Sequence, residues 1–125
     1  MKRYLVIANS GPEDPNRATV PFITAKALVE KGHAVTIWLF NNSVYLMPEG
    51  VAQNIQAPGL PNLEDLILFL TMSKSVPIYI GGACAMGRGL VNPEQESMIP
   101  FVCGELAMPP KLADLIEAAD NVICF

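Results

Sequence analysis

The chain is expected to fold as an α/β protein, a three-layer α/β/α sandwich around a mainly parallel, five-stranded sheet, with residues 1–125 in one domain. Three observations lead there. Short apolar runs recur, each bounded by Gly, Pro or Asn, and segments with apolar residues at helical spacing lie between them. The runs are apolar throughout, as in strands covered on both faces, where a half-exposed strand would alternate. No repeat, low-complexity tract or linker breaks the alternation, which is the pattern of parallel strands joined by crossover helices.

The elements follow in order. Tyr4 to Ala8 is the first strand, and Asn9 to Asn16 a polar loop. Two helix starts compete after it: Asp14 as cap with Pro15 at the first helical position, or Thr19, which would spare the helix an internal Pro21. Phe22, Ala25, Leu28 and Val29 form the inward stripe, and Gly32 stops the helix after Lys31. Ala34 to Phe40 reads as the second strand, and the Asn41-Asn42-Ser43 turn opens a short helical segment through Met47. Asn62 caps a helix carrying Leu63, Leu66, Ile67 and Leu70 as far as about Ser73. Pro77 marks the start of a third strand, Ile78-Tyr79-Ile80, because proline is confined to strand starts and edges. A fourth strand is expected over Met98 to Cys103, a helix from Pro109-Pro110 to Ala119, and a last strand from Asn121 to Phe125.

Composition narrows the function. Net charge is −4, with 8 basic residues and no Lys/Arg cluster, which argues against nucleic acid. The chain is 51% hydrophobic and 16% charged, yet no apolar run approaches the roughly 18 residues that span a bilayer. The surplus apolar surface points to subunit contacts, so a homo-oligomer is expected. The N-terminal Met1-Lys2-Arg3 followed by Tyr4 to Ala8 is too short to read as a signal peptide. Three cysteines and one histidine show no metal-ligand spacing, so no metal and no cofactor is expected, and the cytoplasm is the default compartment.

Three features collect at the carboxyl edge of the expected sheet, where open α/β sheets carry their sites: the 9–16 loop, the Asn41–Asn42 turn and Cys84. Gly81, Gly82 and Ala83 remove bulk in front of Cys84, and Ala85 removes it behind, as suits a thiol that another molecule must reach. Ala85 to Leu90 could add one helical turn, weakened by Gly87 and Gly89. Arg88 is the nearest cation able to support a thiolate, while Asn9, Asn41, Asn42 and Met86 are candidate pocket-lining residues, with Met98 at the approach. No cysteine lies near Cys84, so Cys-x-x-Cys dithiol chemistry is excluded. Cys103 and Cys124 read as buried packing residues, and Cys103 could exchange sulfur with Cys84 only if it shares that edge.

The order of elements, Gly32-His33 before the second strand, Ser43-Val44-Tyr45-Leu46-Met47 after it, Gly82-Ala83-Cys84 followed by Arg88-Gly89, and the closing Ala119-Asp120-Asn121-Val122-Ile123-Cys124-Phe125 resemble the DsrE/DsrF-like sulfur-relay family. The resemblance implies a DsrE-like sheet of flavodoxin-like topology and assembly as trimers or hexamers. It also implies a sulfurtransferase-like carrier that holds a persulfide on Cys84 and passes it from a donor to an acceptor protein. Two other readings stand beside it. One is a non-catalytic oligomeric assembly module of the same fold, which would bury Cys84 behind Met86 or Tyr79. The other is a small-ligand-binding protein using backbone amides of the 9–16 loop, although no Gly-x-Gly-x-x-Gly or Walker pattern is present and Glu13 and Asp14 would repel phosphate.

Overall fold

The computed structural model describes residues 1–125. Five strands form one parallel sheet: β1 (Arg3–Ala8), β2 (Ala34–Leu39), β3 (Ile78–Gly81), β4 (Glu105–Ala107) and β5 (Asn121–Cys124), in the order β4-β3-β2-β1-β5. The winding runs from β1 outward to β4 and then returns to place β5 on the other side of β1. The reversal therefore falls between β1 and β5, whereas a flavodoxin sheet reverses between β1 and β3. Because the strands are parallel and in register, Ala8, Leu39, Gly81, Ala107 and Cys124 end at one edge.

Four helices join them. The first, α1 (Pro15–Glu30), starts as its first candidate cap requires, with the Asp14 carboxylate accepting from the Arg17 N–H at 3.1 Å. Thr19 is instead buried inside this helix, its hydroxyl donating to the Pro15 carbonyl, and the helix runs through Pro21 as one element. Its end is a Schellman turn: Gly32 N–H bonds Val29 C=O, His33 N–H bonds Leu28 C=O, and Gly32 takes φ +91°. A 3₁₀ segment (Asn41–Leu46) follows β2. Then α2 (Leu63–Leu68), capped by Asn62, widens into a π turn over Phe69–Ser73, where the Thr71 hydroxyl donates to the Ile67 carbonyl. The last two are α3 (Gly82–Gly87) and α4 (Pro109–Ala118).

Two elements depart from the sequence expectation. Met98 to Cys103 is not a strand. Pro100 has no N–H for a ladder, Phe101 makes a single bridge to Pro48, and Gly104 at φ +97° turns the chain so that pairing with β3 begins at Glu105. The helix after β3 also begins earlier than expected, at Gly82, so that Cys84 lies inside its first turn and not ahead of it.

The two faces of the sheet are unequally covered. Beneath α1 and α2 lies a core of 23 buried residues, including Val6, Phe22, Ile37, Leu39 and Ile80. The other face buries only Leu5, Ile7 and Trp38, with α4 across β1 and no fully buried residue on α4. Phe40 and Tyr79 remain half-buried there, their rings 5.8 and 6.1 Å from that of Trp38.

Candidate functional site

Strand register brings the carboxyl ends of β1, β2, β3 and β5 together, and the residues that leave those ends build one polar network. Cys84 is free and half-buried, the third residue of α3. Its Sγ accepts the backbone N–H of Asn41 at 3.2 Å, a short contact for sulfur. Asn41 holds φ +52°, a conformation asparagine tolerates better than most residues, and this aims its N–H across at the thiol. Its side chain donates to Asn9 Oδ1 at 2.7 Å. Asn9 in turn donates to the Phe125 carbonyl at 2.7 Å and to Cys124 Sγ at 3.7 Å. Ser43 is fully buried below the turn, its hydroxyl on the Ala8 carbonyl at 2.9 Å.

Arg88 closes the other side of this arrangement. Its Nε donates to Asn42 Oδ1 at 2.9 Å and its Nη1 to the Cys84 carbonyl at 3.3 Å. The guanidinium thus ties α3 to the Asn41–Asn42 turn and makes no hydrogen bond to the sulfur. Of the remaining candidates, Gly82 and Ala85 are buried, Ala83 and Met86 are exposed, and Met98 is exposed on its loop.

The small residues before Cys84 serve a different purpose from the one expected. A Cβ on Gly82 would lie 2.1 Å from Gln95 Oε1 and 2.7 Å from Met108 Sδ, and one on Gly81 would lie 3.0 Å from the Leu39 carbonyl. The space is filled by the chain itself: Gln95 reaches over from its loop and donates to the Gly82 carbonyl at 3.3 Å. Gly11, whose amide the ligand-binding reading would offer to an anion, has a packing role instead. A Cβ there would stand 2.0 Å from the Asn42 carbonyl oxygen, so the first loop packs backbone against backbone on the turn that meets Cys84. The sequence signal was present in the Gly11-Pro12 pair, though nothing there names Asn42 as the neighbour.

The 9–16 loop presents no vacant anion cradle. The Gly11 N–H is taken by both carboxylate oxygens of Glu13, at 3.1 and 3.0 Å, and the α1 start is taken by Asp14. Neither of the two principal cavities is lined by Cys84 or by residues 9–16.

The other cysteines differ from each other. Cys124 is exposed, contrary to its expected burial, because β5 is an edge strand at the end of the sheet. Cys103 is half-buried with its thiol 3.8 Å from Met47 Sδ, and burial pushes its pKa up. A raised thiol keeps its proton, which makes it a poor nucleophile. In the unfolded chain Cys103 would ionise near its ordinary value of about 8.5. Above that value the unfolded state binds fewer protons than the folded state, so this residue's stabilisation is present below it and lost as pH rises through the folded pKa. Urea midpoints of wild type and Cys103→Ala are expected to keep a constant difference up to about pH 8. Beyond it, wild type should lose stability faster; parallel curves through pH 10 would contradict the buried thiol.

Comparison with known proteins accords with the fold. The profile of the DsrE/DsrF-like family matches residues 2–125. The sulfurtransferase TusD of Buchnera aphidicola subsp. Acyrthosiphon pisum, from strains 5A and APS, is similar at 25% identity over 126 residues, covering 97% of this chain and 94% of the relative. Among solved structures, the crystal structure of the ychN protein from E. coli is similar with a TM-score of 0.79 and 25% identity, covering 100% of both chains. A parallel five-stranded α/β sheet and a family match over nearly every residue agree: the chain belongs to the DsrE/DsrF-like family.

Proposed function

We propose that the protein is a sulfur carrier that holds a persulfide on Cys84 and hands it from a donor protein to an acceptor protein. The observation that carries this reading is the Asn41 N–H, 3.2 Å from the sulfur of a free, half-buried cysteine at the carboxyl edge of the sheet. The name of the similar TusD proteins supplies the cargo class. In the loading step the Cys84 thiolate attacks the outer sulfur of a donor persulfide, R–S–S⁻. The Cys84–sulfur bond forms, the donor S–S bond breaks, and R–S⁻ leaves. Delivery is the same exchange with an acceptor thiolate as nucleophile and Cys84 as leaving group, so no net oxidant is consumed. The Asn41 N–H meets negative charge on the Cys84 sulfur when it attacks and again when it leaves. Arg88 is a positioning residue in this scheme, because it fixes α3 against the turn that carries Asn41.

Incubation with polysulfide or thiosulfate followed by intact-mass measurement tests it. Wild type, Cys103→Ser and Cys124→Ser are expected to gain one sulfur atom, and Cys84→Ser none. Retention by Cys84→Ser, or loss in Cys124→Ser with Cys84 intact, would sink the assignment.

The same reading has copies of the chain assembling through the thinly covered face of the sheet. Met108 and Ile116 on the α4 side are exposed, and Phe40 and Tyr79 stay half-buried against Trp38. No helix is long and apolar enough to cross a membrane, so a lipid-spanning role for this apolar surface is not needed.

A further inference from the structure

Asn9 is bonded both to the end of the chain's last strand and to the turn that meets Cys84. Its Nδ2 donates to the Phe125 carbonyl at 2.7 Å and makes a longer contact, 3.7 Å, with Cys124 Sγ. Its Oδ1 accepts Asn41 Nδ2 at 2.7 Å. A carbonyl can only accept, so Phe125 fixes which way the Asn9 amide points and turns its oxygen toward Asn41. That anchor is itself held, because the Phe125 N–H bonds the Ile7 carbonyl at 2.8 Å. Position 9 therefore needs a donor and an acceptor on one short planar group. A carboxylate would lack the donor, and a leucine of similar shape would offer neither.

Asn41 is the residue that needs this support. It holds φ +52°, a region that costs any residue with a Cβ, although asparagine less than most. Arg88 holds the turn at Asn42, and the Ser43 hydroxyl holds it on the Ala8 and Phe40 carbonyls. Neither bonds Asn41, whose side chain makes a single hydrogen bond, the one to Asn9. The backbone N–H of this same residue is the donor to Cys84 Sγ at 3.2 Å. Rotation of Asn41 out of its left-handed conformation would carry that N–H off the sulfur.

We propose that Asn9 is a positioning residue for Cys84. It does not touch the thiol; it locks Asn41 in the left-handed conformation that aims the amide there, and takes its own orientation from Phe125. This role rests on the sulfur-carrier reading of Cys84, whose loading step uses the same N–H.

The test is the alkylation rate of Cys84 by iodoacetamide in a Cys103→Ala/Cys124→Ala parent, where Cys84 is the single thiol and Asn9 keeps its bond to Phe125. Asn9→Ala and Asn9→Leu should each react about fivefold more slowly, the change that one hydrogen bond of ordinary net strength gives. The initial rate of sulfur gain from polysulfide should fall by the same factor. Hydrogen exchange of the Asn41 amide should quicken similarly, while the Phe40 and Ser43 amides, bonded to the Ala8 and Phe40 carbonyls, keep their parental rates. Asn41→Gly reaches a left-handed φ without help, so adding Asn9→Ala to it should change the alkylation rate no further.

A parental rate in Asn9→Leu would mean that position 9 only fills space. Equal quickening of all three amides would mean a general loosening. Either result overturns the proposal, as does an undiminished effect of Asn9→Ala beside Asn41→Gly. Failure of wild type to take up sulfur would instead remove the carrier reading, and the alkylation and exchange rates would still decide the role of Asn9.

Discussion

Gly11→Ala is expected to lower stability by about 1–3 kcal/mol, the usual cost of overpacking, and to slow alkylation of Cys84 by iodoacetamide several-fold. The reason is geometric. The added Cβ would sit 2.0 Å from the Asn42 carbonyl oxygen and 2.7 Å from its carbon. Both are backbone atoms, so no rotamer change relieves the contact, and the turn itself must move. That turn is held from below by Ser43 on the Ala8 carbonyl and from above by Arg88 on Asn42. Displacing it takes the Asn41 N–H off the Cys84 sulfur. Gly87→Ala is the matched control: a Cβ at Gly87 meets nothing within 4 Å, and its φ is not left-handed. As the last residue of α3, it should leave stability unchanged or raise it by up to about 1 kcal/mol. Urea unfolding and the alkylation rate, both in a Cys103→Ala/Cys124→Ala background, measure the two effects separately. An alkylation rate in Gly11→Ala equal to that of the parent would remove the positioning role of the turn.

What could be read in advance follows from which forces act locally. Asp14-Pro15 and Gly32 set the ends of α1 because caps and left-handed glycines act within a few residues. Asn62 did the same for α2. Long apolar runs placed β1 and β2, since a strand buried on both faces leaves no other choice of residues. The convergence of Asn9, Asn41, Asn42 and Cys84 followed from parallel topology alone, which puts the carboxyl ends of the strands on one edge. What failed depended on long-range contacts. The position of β4 is decided by pairing with Tyr79 and Ile80 and by the turn at Gly104, neither visible in the apolar run ending at Cys103. Gly81-Gly82 suggested open space, but the room is needed by the Leu39 carbonyl at Gly81 and, at Gly82, by Gln95, thirteen residues further on. Cys124 sits in an apolar strand like any core cysteine, and only the edge position of β5 exposes it.

The second large effect tests the lopsided core. Phe22→Ala is expected to cost about 3–5 kcal/mol, the range for deleting a buried aromatic. A domain of this kind has only about 5–15 kcal/mol in total, so the variant should sit near its unfolding threshold at 37 °C. Phe22 is fully buried on the inner stripe of α1, within the cluster that holds Val6, Ile37 and Leu39. The lost ring leaves a cavity bounded by the sheet, which cannot collapse because its strands are locked in a continuous ladder. Ile116→Ala on α4 makes the opposite case. Ile116 is 45% exposed, so its removal should change folding stability by no more than about 0.5 kcal/mol. If copies of the chain meet on this face, Ile116→Ala should shift the concentration dependence of the oligomer seen by light scattering while leaving the urea midpoint of the dilute protein in place. The two variants thus separate what folds the chain from what joins it to another copy. A Phe22→Ala midpoint within experimental error of wild type would mean that α1 does not hold the sheet in the way its buried stripe requires.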